Sequence, residues 1–197
     1  MTTTLITGSN RGLGLETARR LVEAGHTVHA GMRDTADGDA ARAVGAHPVQ
    51  LDVDDEASVE RAIASLPELD VLVNNAGILG TAQGVDDLTP EAMLAVLQTN
   101  VVAVVRVTQA ALPLLRASDA PVIVNVASGV GWPRALRGED TDERHVLTVP
   151  YATSKAALIT ATVQYAKNLP GCRASGSTPP TPGTPRPTST ATAGTRR

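Results

Sequence analysis

Along most of its length the chain alternates short apolar runs with stretches whose apolar positions recur at helical spacing. Thr4-Leu5-Ile6-Thr7 predicts a strand, and Leu13 to Ala24 a helix that Gly25 ends. Thr27 to Ala30 predicts a second strand, Thr35 to Val44 a short helix, Pro48 to Leu51 a third strand and Glu56 to Leu66 a helix. Asp70 to Val73 predicts a fourth strand. Thr89-Pro90-Glu91 opens the longest helix, with Thr as cap, Pro at the first helical position and Glu at the positive end of the helix dipole. It runs to about Arg116, with Pro113 near its end. Pro121 to Val126 predicts a fifth strand and Tyr151 to Asn168 a final helix. Nearly all-apolar strands separated by helices indicate a parallel sheet covered on both faces. Right-handed crossovers make this a doubly wound α/β fold in three αβα layers, which binds ligands beyond the carboxyl ends of its strands.

The pattern stops near Arg173. From there to Arg197 the chain contains no Leu, Ile, Val, Met, Asp or Glu, only Thr, Pro, Ser, Gly, Ala and Arg. Such a segment has little apolar surface to bury, so it is expected to be a disordered tail. The division is then a domain over residues 1–171 and a Thr/Pro-rich tail over residues 172–197. No strand is expected after the fifth, so the C-terminal strands of such a fold would be missing.

Composition narrows the function. The 197 residues suffice for one domain with a sizeable core, and Phe is absent, so Val, Leu, Ile and Ala must build it. A net charge of −3 without a basic cluster argues against nucleic acid. A single cysteine, Cys172, fits a reducing compartment, and the scattered His residues show no metal-ligand spacing. The amino terminus is too polar for a signal peptide, and no apolar run of membrane-spanning length is expected. These readings place the chain in the cytoplasm, with no membrane partner.

Chemistry-bearing motifs fall at the strand ends. Thr7-Gly8-Ser9-Asn10-Arg11-Gly12-Leu13-Gly14 follows the first strand and opens the first helix. Glycines there let the backbone turn tightly and approach a pyrophosphate seated on the helix N-terminus, although a Gly-rich strand-helix turn is also a common structural device. Asn74-Asn75-Ala76-Gly77 ends the fourth strand, and Asn100 lies inside the long helix. Asn125-Val126-Ala127-Ser128 ends the fifth strand, and Tyr151-Ala152-Thr153-Ser154-Lys155 opens the last helix. Four-residue spacing puts Lys155 on the same helix face as Tyr151. An unperturbed phenol titrates near pH 10, too high for efficient proton transfer at neutrality, and an adjacent ammonium favours phenolate.

In this order and at these positions, the motifs resemble the short-chain dehydrogenase/reductase family over residues 1 to about 170, and within it the carbonyl-reductase-like members. The resemblance implies a Rossmann fold and an NAD(P)-dependent oxidoreductase moving a hydride between a nicotinamide and a carbonyl or alcohol carbon. It implies that Tyr151 is the proton donor or acceptor, and that Lys155 supports it and holds the nicotinamide ribose. Ser128 would position the substrate oxygen, and Asn100 would hold a backbone kink and a water linking Lys155 to solvent. Cofactor contacts are expected from Gly8, Ser9, Asn10, Arg11, Gly12, Leu13 and Gly14, from Asp52 and Val53 after the third strand, and from Asn74, Ala76 and Gly77. NAD-preferring members usually place an Asp at the end of the second strand; here Met32 stands there, followed by Arg33. Arg33 and Arg11 together suit a 2′-phosphate, so NADP(H) is expected to be preferred, with NAD(H) possible. Alternatively, Arg33 is merely solvated and Asp34 takes the ribose. The resemblance further implies a homodimer or homotetramer through the long helix and the Tyr-Lys helix.

Two segments depart from the family. Trp132 to Val149 is an extra polar segment containing Arg134, Arg137, Glu139, Asp140, Asp142, Glu143, Arg144 and His145. It is either a wall of the substrate site or a solvated loop. The family's later strand, Pro-Gly loop and substrate-covering region are not visible in the tail. The codons permitted from Arg173 to Pro179 can be chosen so that a shifted frame reads Gly-Ile-Arg-Val-Asn-Ala, the family's usual strand. Continued to Thr192, the shifted frame permits a Pro-Gly loop. The tail therefore reads as a frameshifted copy of that segment. A non-catalytic or defective dinucleotide-binding product is the competing class.

Overall fold

The computed structural model describes residues 1–81, 84–137, 142–169 and 171–177. Six strands form one parallel sheet: β1 Thr3–Thr7, β2 Thr27–Met32, β3 His47–Gln50, β4 Val71–Asn74, β5 Val122–Val126 and β6 Arg173–Ser177. Their order is β3-β2-β1-β4-β5-β6. The direction of strand addition reverses between β1 and β4, the switch point where doubly wound folds bind ligands. Helices α1 Gly12–Glu23, α2 Asp39–Ala43, α3 Glu56–Ala64, α4 Pro90–Leu97, α5 Ala103–Ala117, α6 Pro133–Arg137 and α7 Val149–Asn168 complete the described regular structure.

Alternation along the strands builds a core on each face of the sheet. Leu5, Leu72 and Ile123 pack with Val59 and Ile63 of α3 and Val107, Ala111 and Leu115 of α5. The neighbouring Ile6 and Val73 point the other way, with Val28, Ala30 and Met32, against Ala18 of α1 and Ala41 of α2. Small aliphatic side chains thus fill both layers, as the aromatic-poor composition requires.

β6 corrects the expectation that no strand follows the fifth and that the tail is irregular from its start. Arg173 N donates to Pro121 O at 2.9 Å, and the two strands stay paired from Val122 with Arg173 to Val126 with Ser177. Parallel pairing uses backbone groups that every residue here carries, and an edge strand asks little of its side chains. Only Ala174, half-buried, packs from this strand onto the larger core. The absence of Leu, Ile and Val says nothing against an edge strand, whose pairing rests on the backbone. Residues 178–197, the rest of the expected tail, lie outside the described residues, as do Glu139 and Asp140.

Two further differences bear on the site. A π-turn at Gln98–Val102 interrupts the long helix between α4 and α5. In the extra polar segment, Pro133–Arg137 forms α6 and Asp142–His145 a 3-10 turn. The expectation about apolar runs also needs correction. The continuous helical stretch Pro90–Ala117, with a mean hydropathy of 1.3 over its most apolar 18 residues, is long and apolar enough to cross a membrane by length and composition. Here Val96, Val104, Val107, Ala111 and Leu115 bury one side of it in the fold.

Candidate active site

The loop after β1 has the geometry of an anion cradle. Gly8 and Gly12 have φ of 66° and 60°, a region that side-chain-bearing residues avoid. At Gly14 a Cβ would lie 2.5 Å from both Asn75 Nδ2 and Gly8 O, so only glycine lets α1 begin this close to the loop. The helix starts from Arg11 with no side-chain cap and no acidic residue in its first turn. By contrast, Asp55, Thr89 and Thr148 cap α3, α4 and α7 through their side chains. The first N–H groups of α1 therefore present the positive end of the helix dipole to the loop with no side-chain cap among the described residues.

Other parts of the expected cofactor set turn inward. Ser9 is fully buried; its Oγ donates to Ile6 O at 3.0 Å and its N to Gly31 O at 3.0 Å, so its polar groups fasten the loop to the sheet. Asn74 is also buried, its Nδ2 donating to Asn125 Oδ1 at 2.9 Å and Thr108 Oγ1 at 3.1 Å. Asn125 Nδ2 continues this line to Thr162 Oγ1 of α7 at 2.8 Å. Asn10, Arg11, Gly12 and Leu13 remain at the surface of the loop. The brace of the loop is Asn75, absent from the expected site. Its Nδ2 donates to Thr7 O and Gly8 O, both at 2.9 Å, while Thr7 Oγ1 accepts from the backbone N of Asn75 and Ala76. Asn75 stands inside the Asn74-Asn75-Ala76-Gly77 motif, but spacing alone gives no sign of which partner its amide takes.

Around the end of β2, Met32 is buried and Arg33 exposed. Asp34 caps the next turn, its Oδ1 accepting from Ala36 N at 2.8 Å. Its carboxylate is thereby engaged with its own backbone. After β3, Asp52 Oδ1 accepts from Asp54 N at 3.1 Å, and Val53 O accepts from Arg106 Nη1 of α5 at 2.7 Å.

The other expected residues converge on α7. Thr148 Oγ1 accepts from Tyr151 N at 3.3 Å, so the helix begins two residues before Tyr151 and places it in the first turn. Lys155 Nζ lies 5.5 Å from the centroid of the Tyr151 ring. It donates to Val126 O at 2.7 Å, tying α7 to the end of β5. Lys155 is only 5% exposed, and burial pushes its ammonium down to about 8. Ser128 starts the 3-10 turn Gly129–Gly131, and Gly131 N donates to Ser128 O at 3.0 Å. A Cβ at Gly131 would lie 2.7 Å from the Lys155 carbonyl carbon and 2.9 Å from Ala156 N. That glycine lets the Ser128 turn press on the α7 backbone at Lys155.

Asn100 sits in the π-turn, almost fully buried. It accepts from Ile78 N at 2.8 Å through Oδ1 and donates through Nδ2 to Ile78 O at 2.8 Å and Ser154 Oγ at 3.0 Å. Ser154 Oγ in turn donates to Tyr151 O at 2.7 Å. A Cβ at Gly77 would lie 3.1 Å from Asn100 Oδ1 and 3.8 Å from Lys155 Nζ. The segment after β4, the π-turn and α7 thus meet at one point. Ser154 and Gly131, both missed as site residues, look from sequence like ordinary small residues.

A family model described as short chain dehydrogenase matches residues 2–175. Short-chain dehydrogenase/reductase 1 of Saponaria officinalis is 36% identical over 167 residues, covering 68% of this chain and 55% of the relative. An NADP-dependent 3-hydroxy acid dehydrogenase of Salmonella typhi is 35% identical over 139 residues, 66% of this chain and 56% of that protein. The chain thus spans little more than half the length of these curated relatives. The crystal structure of NADPH-bound carbonyl reductase from chicken fatty liver superposes with a TM-score of 0.75 at 29% identity, over 87% of this chain and 76% of that one.

Proposed function

From the premise that this chain belongs to the short-chain dehydrogenase family, we propose that it is an NADP(H)-dependent carbonyl reductase using Tyr151 as its acid. The observation that carries the catalytic part is the placement of Tyr151 beside Lys155 and the Ser128 turn at the end of β5. A bound nicotinamide cofactor supplies or accepts the hydride at the carbonyl carbon. Tyr151 gives its phenolic proton to the carbonyl oxygen, which becomes the alcohol hydroxyl; in oxidation the phenolate takes that proton back. The Lys155 ammonium stabilises the phenolate and would hold the ribose hydroxyls of the nicotinamide half of the cofactor. Ser128 positions the substrate oxygen. Asn100 secures the backbone around them through Ile78 and Ser154.

The residues present fit a dinucleotide. The uncapped α1 N-terminus and the Gly8-Gly12-Gly14 turn would take the pyrophosphate. Asp52 and Val53 would flank the adenine, and Ala76 and Gly77 would line the route to the nicotinamide. Exposed Arg33 and Arg11, with Asp34 committed to a cap, favour a 2′-phosphate over a bare ribose. The names of the hydroxy acid dehydrogenase and of the NADPH-bound carbonyl reductase point the same way. The proposal extends to a cytoplasmic homo-oligomer acting on a small carbonyl or alcohol. Purified protein should oxidise NADPH in the presence of an added aldehyde or ketone, more efficiently than NADH. Arg33→Asp should narrow or reverse that preference. Equal use of the two cofactors by the unmodified protein would overturn the NADP(H) assignment, and no turnover with any carbonyl would overturn the catalytic one.

A further inference from the structure

Beyond Ser128 the chain turns through Gly129–Gly131, forms α6, and returns through the 3-10 turn Asp142–His145, which packs back on the first turn. Glu143 reaches into that contact. A Cβ on Gly129 would collide with Glu143 Oε1 and would lie 2.9 Å from Cδ and 3.1 Å from Cγ. Only glycine at 129 leaves room for this carboxylate, one residue from Ser128. Glu143 Oε2 is buried and has no hydrogen-bond partner among the described residues. Its backbone is fixed by Val146 N, which donates to Glu143 O at 3.0 Å. A carboxylate oxygen shut away from water is costly unless a donor meets it. Gly129 adjoins Ser128, so a substrate whose oxygen Ser128 held would bring its own groups to this side of the turn, where a substrate hydroxyl would supply the donor. The same 3-10 turn contacts α6, whose last turn carries Arg134 and Arg137.

Resting on the reading of the chain as a carbonyl reductase, we propose that Glu143 determines specificity. It accepts a hydrogen bond from a hydroxyl on the carbon next to the reacting carbonyl, and so selects α-hydroxy carbonyl compounds.

Hydroxyacetone and butan-2-one test this, since they differ by a hydroxyl in place of a methyl. The unmodified protein with NADPH should favour hydroxyacetone in kcat/KM by about tenfold or more, the range expected when a charged acceptor meets its donor. Glu143→Ala should reduce the preference to about twofold by lowering hydroxyacetone turnover alone, and Gly129→Ala, which displaces the carboxylate, should do the same. Glu143→Gln keeps an acceptor oxygen and should retain part of the preference. An unchanged preference in Glu143→Ala, or none in the unmodified protein, overturns the proposal. Binding gives a reading that needs no turnover and no variant. In NMR titration of the NADP+-loaded protein, propane-1,2-diol should bind more tightly than butan-2-ol, and equal binding overturns the role of Glu143. No turnover of either ketone with a clear diol preference would instead sink the catalytic reading and keep the Glu143 contact.

Discussion

At the scale of the residue, chemistry depends on how burial sets Lys155. Its ammonium is held at about 8 by desolvation, against about 10.4 in an unfolded chain. The fold therefore binds fewer protons than the unfolded chain between those values, and stability rises with pH across that window. The penalty for the buried charge is fully present below about pH 8 and relieved above about 10.4. The chain's lysines are Lys155 and Lys167, so NMR of protein carrying isotope-labelled lysine should show a resonance that titrates near 8, and Lys155→Arg should remove it. The absence of any lysine titrating near 8 would contradict the burial described. Tyr151→Phe keeps the ring and removes the proton. It should lower kcat by about a hundredfold or more with the circular dichroism spectrum unchanged. Retention of most activity would remove Tyr151 from its proposed role.

At the scale of the element, the helix faces carry the next expectation. Between α3 and α5 runs an open groove of about 770 Å³, lined by Val59, Ile63, Val102, Val105 and Pro113 among others. Val102 at the end of the π-turn, Val105 on α5 and Val163 on α7 are all exposed. Apolar patches of this kind favour association, and we expect light scattering at micromolar concentration to give a dimer or tetramer. A clean monomer would count against it, and Val105→Glu should weaken whatever assembly forms. The elements themselves were largely legible in the sequence, because periodicity reports burial and both layers of this fold are strongly periodic. β1 to β5 and the helices up to α5 fall within a few residues of their expected places. What was not legible depends on backbone hydrogen bonds rather than side-chain pattern. β6 pairs by backbone alone, the π-turn is held by Asn100 bonding to a distant Ile78, and Ser9 and Asn74 face inward to partners that no local spacing reveals. The site residues were readable as motifs, whereas their supports Asn75, Ser154 and Gly131 emerged only with the fold.

At the scale of the whole molecule, the final strand and the first helix hold the open questions. β6 occupies the edge with side chains that bury little, Ala174 alone contributing to the core from the described part. The shifted reading of the same stretch would place Ile and Val there, each adding about 1.5–3 kcal/mol if fully buried. We expect the gene's other frame after Asn168 to encode that strand and a Pro-Gly loop, and restoration of the frame to raise stability and turnover. An early stop in that frame, or an unrelated sequence, would exclude it. At the opposite side of the switch point, the bare amino end of α1 makes heat resistance a gauge of occupancy. A ligand that satisfies those N–H groups only in the native state holds the fold by mass action, about 2.7 kcal/mol at a hundred times its Kd. For a chain of this size that raises the melting temperature by roughly 5–10 °C. Melting curves with NADPH, NADH and neither would then rank the two dinucleotides without any substrate at all, and a melting point indifferent to both would mean that the loop takes neither.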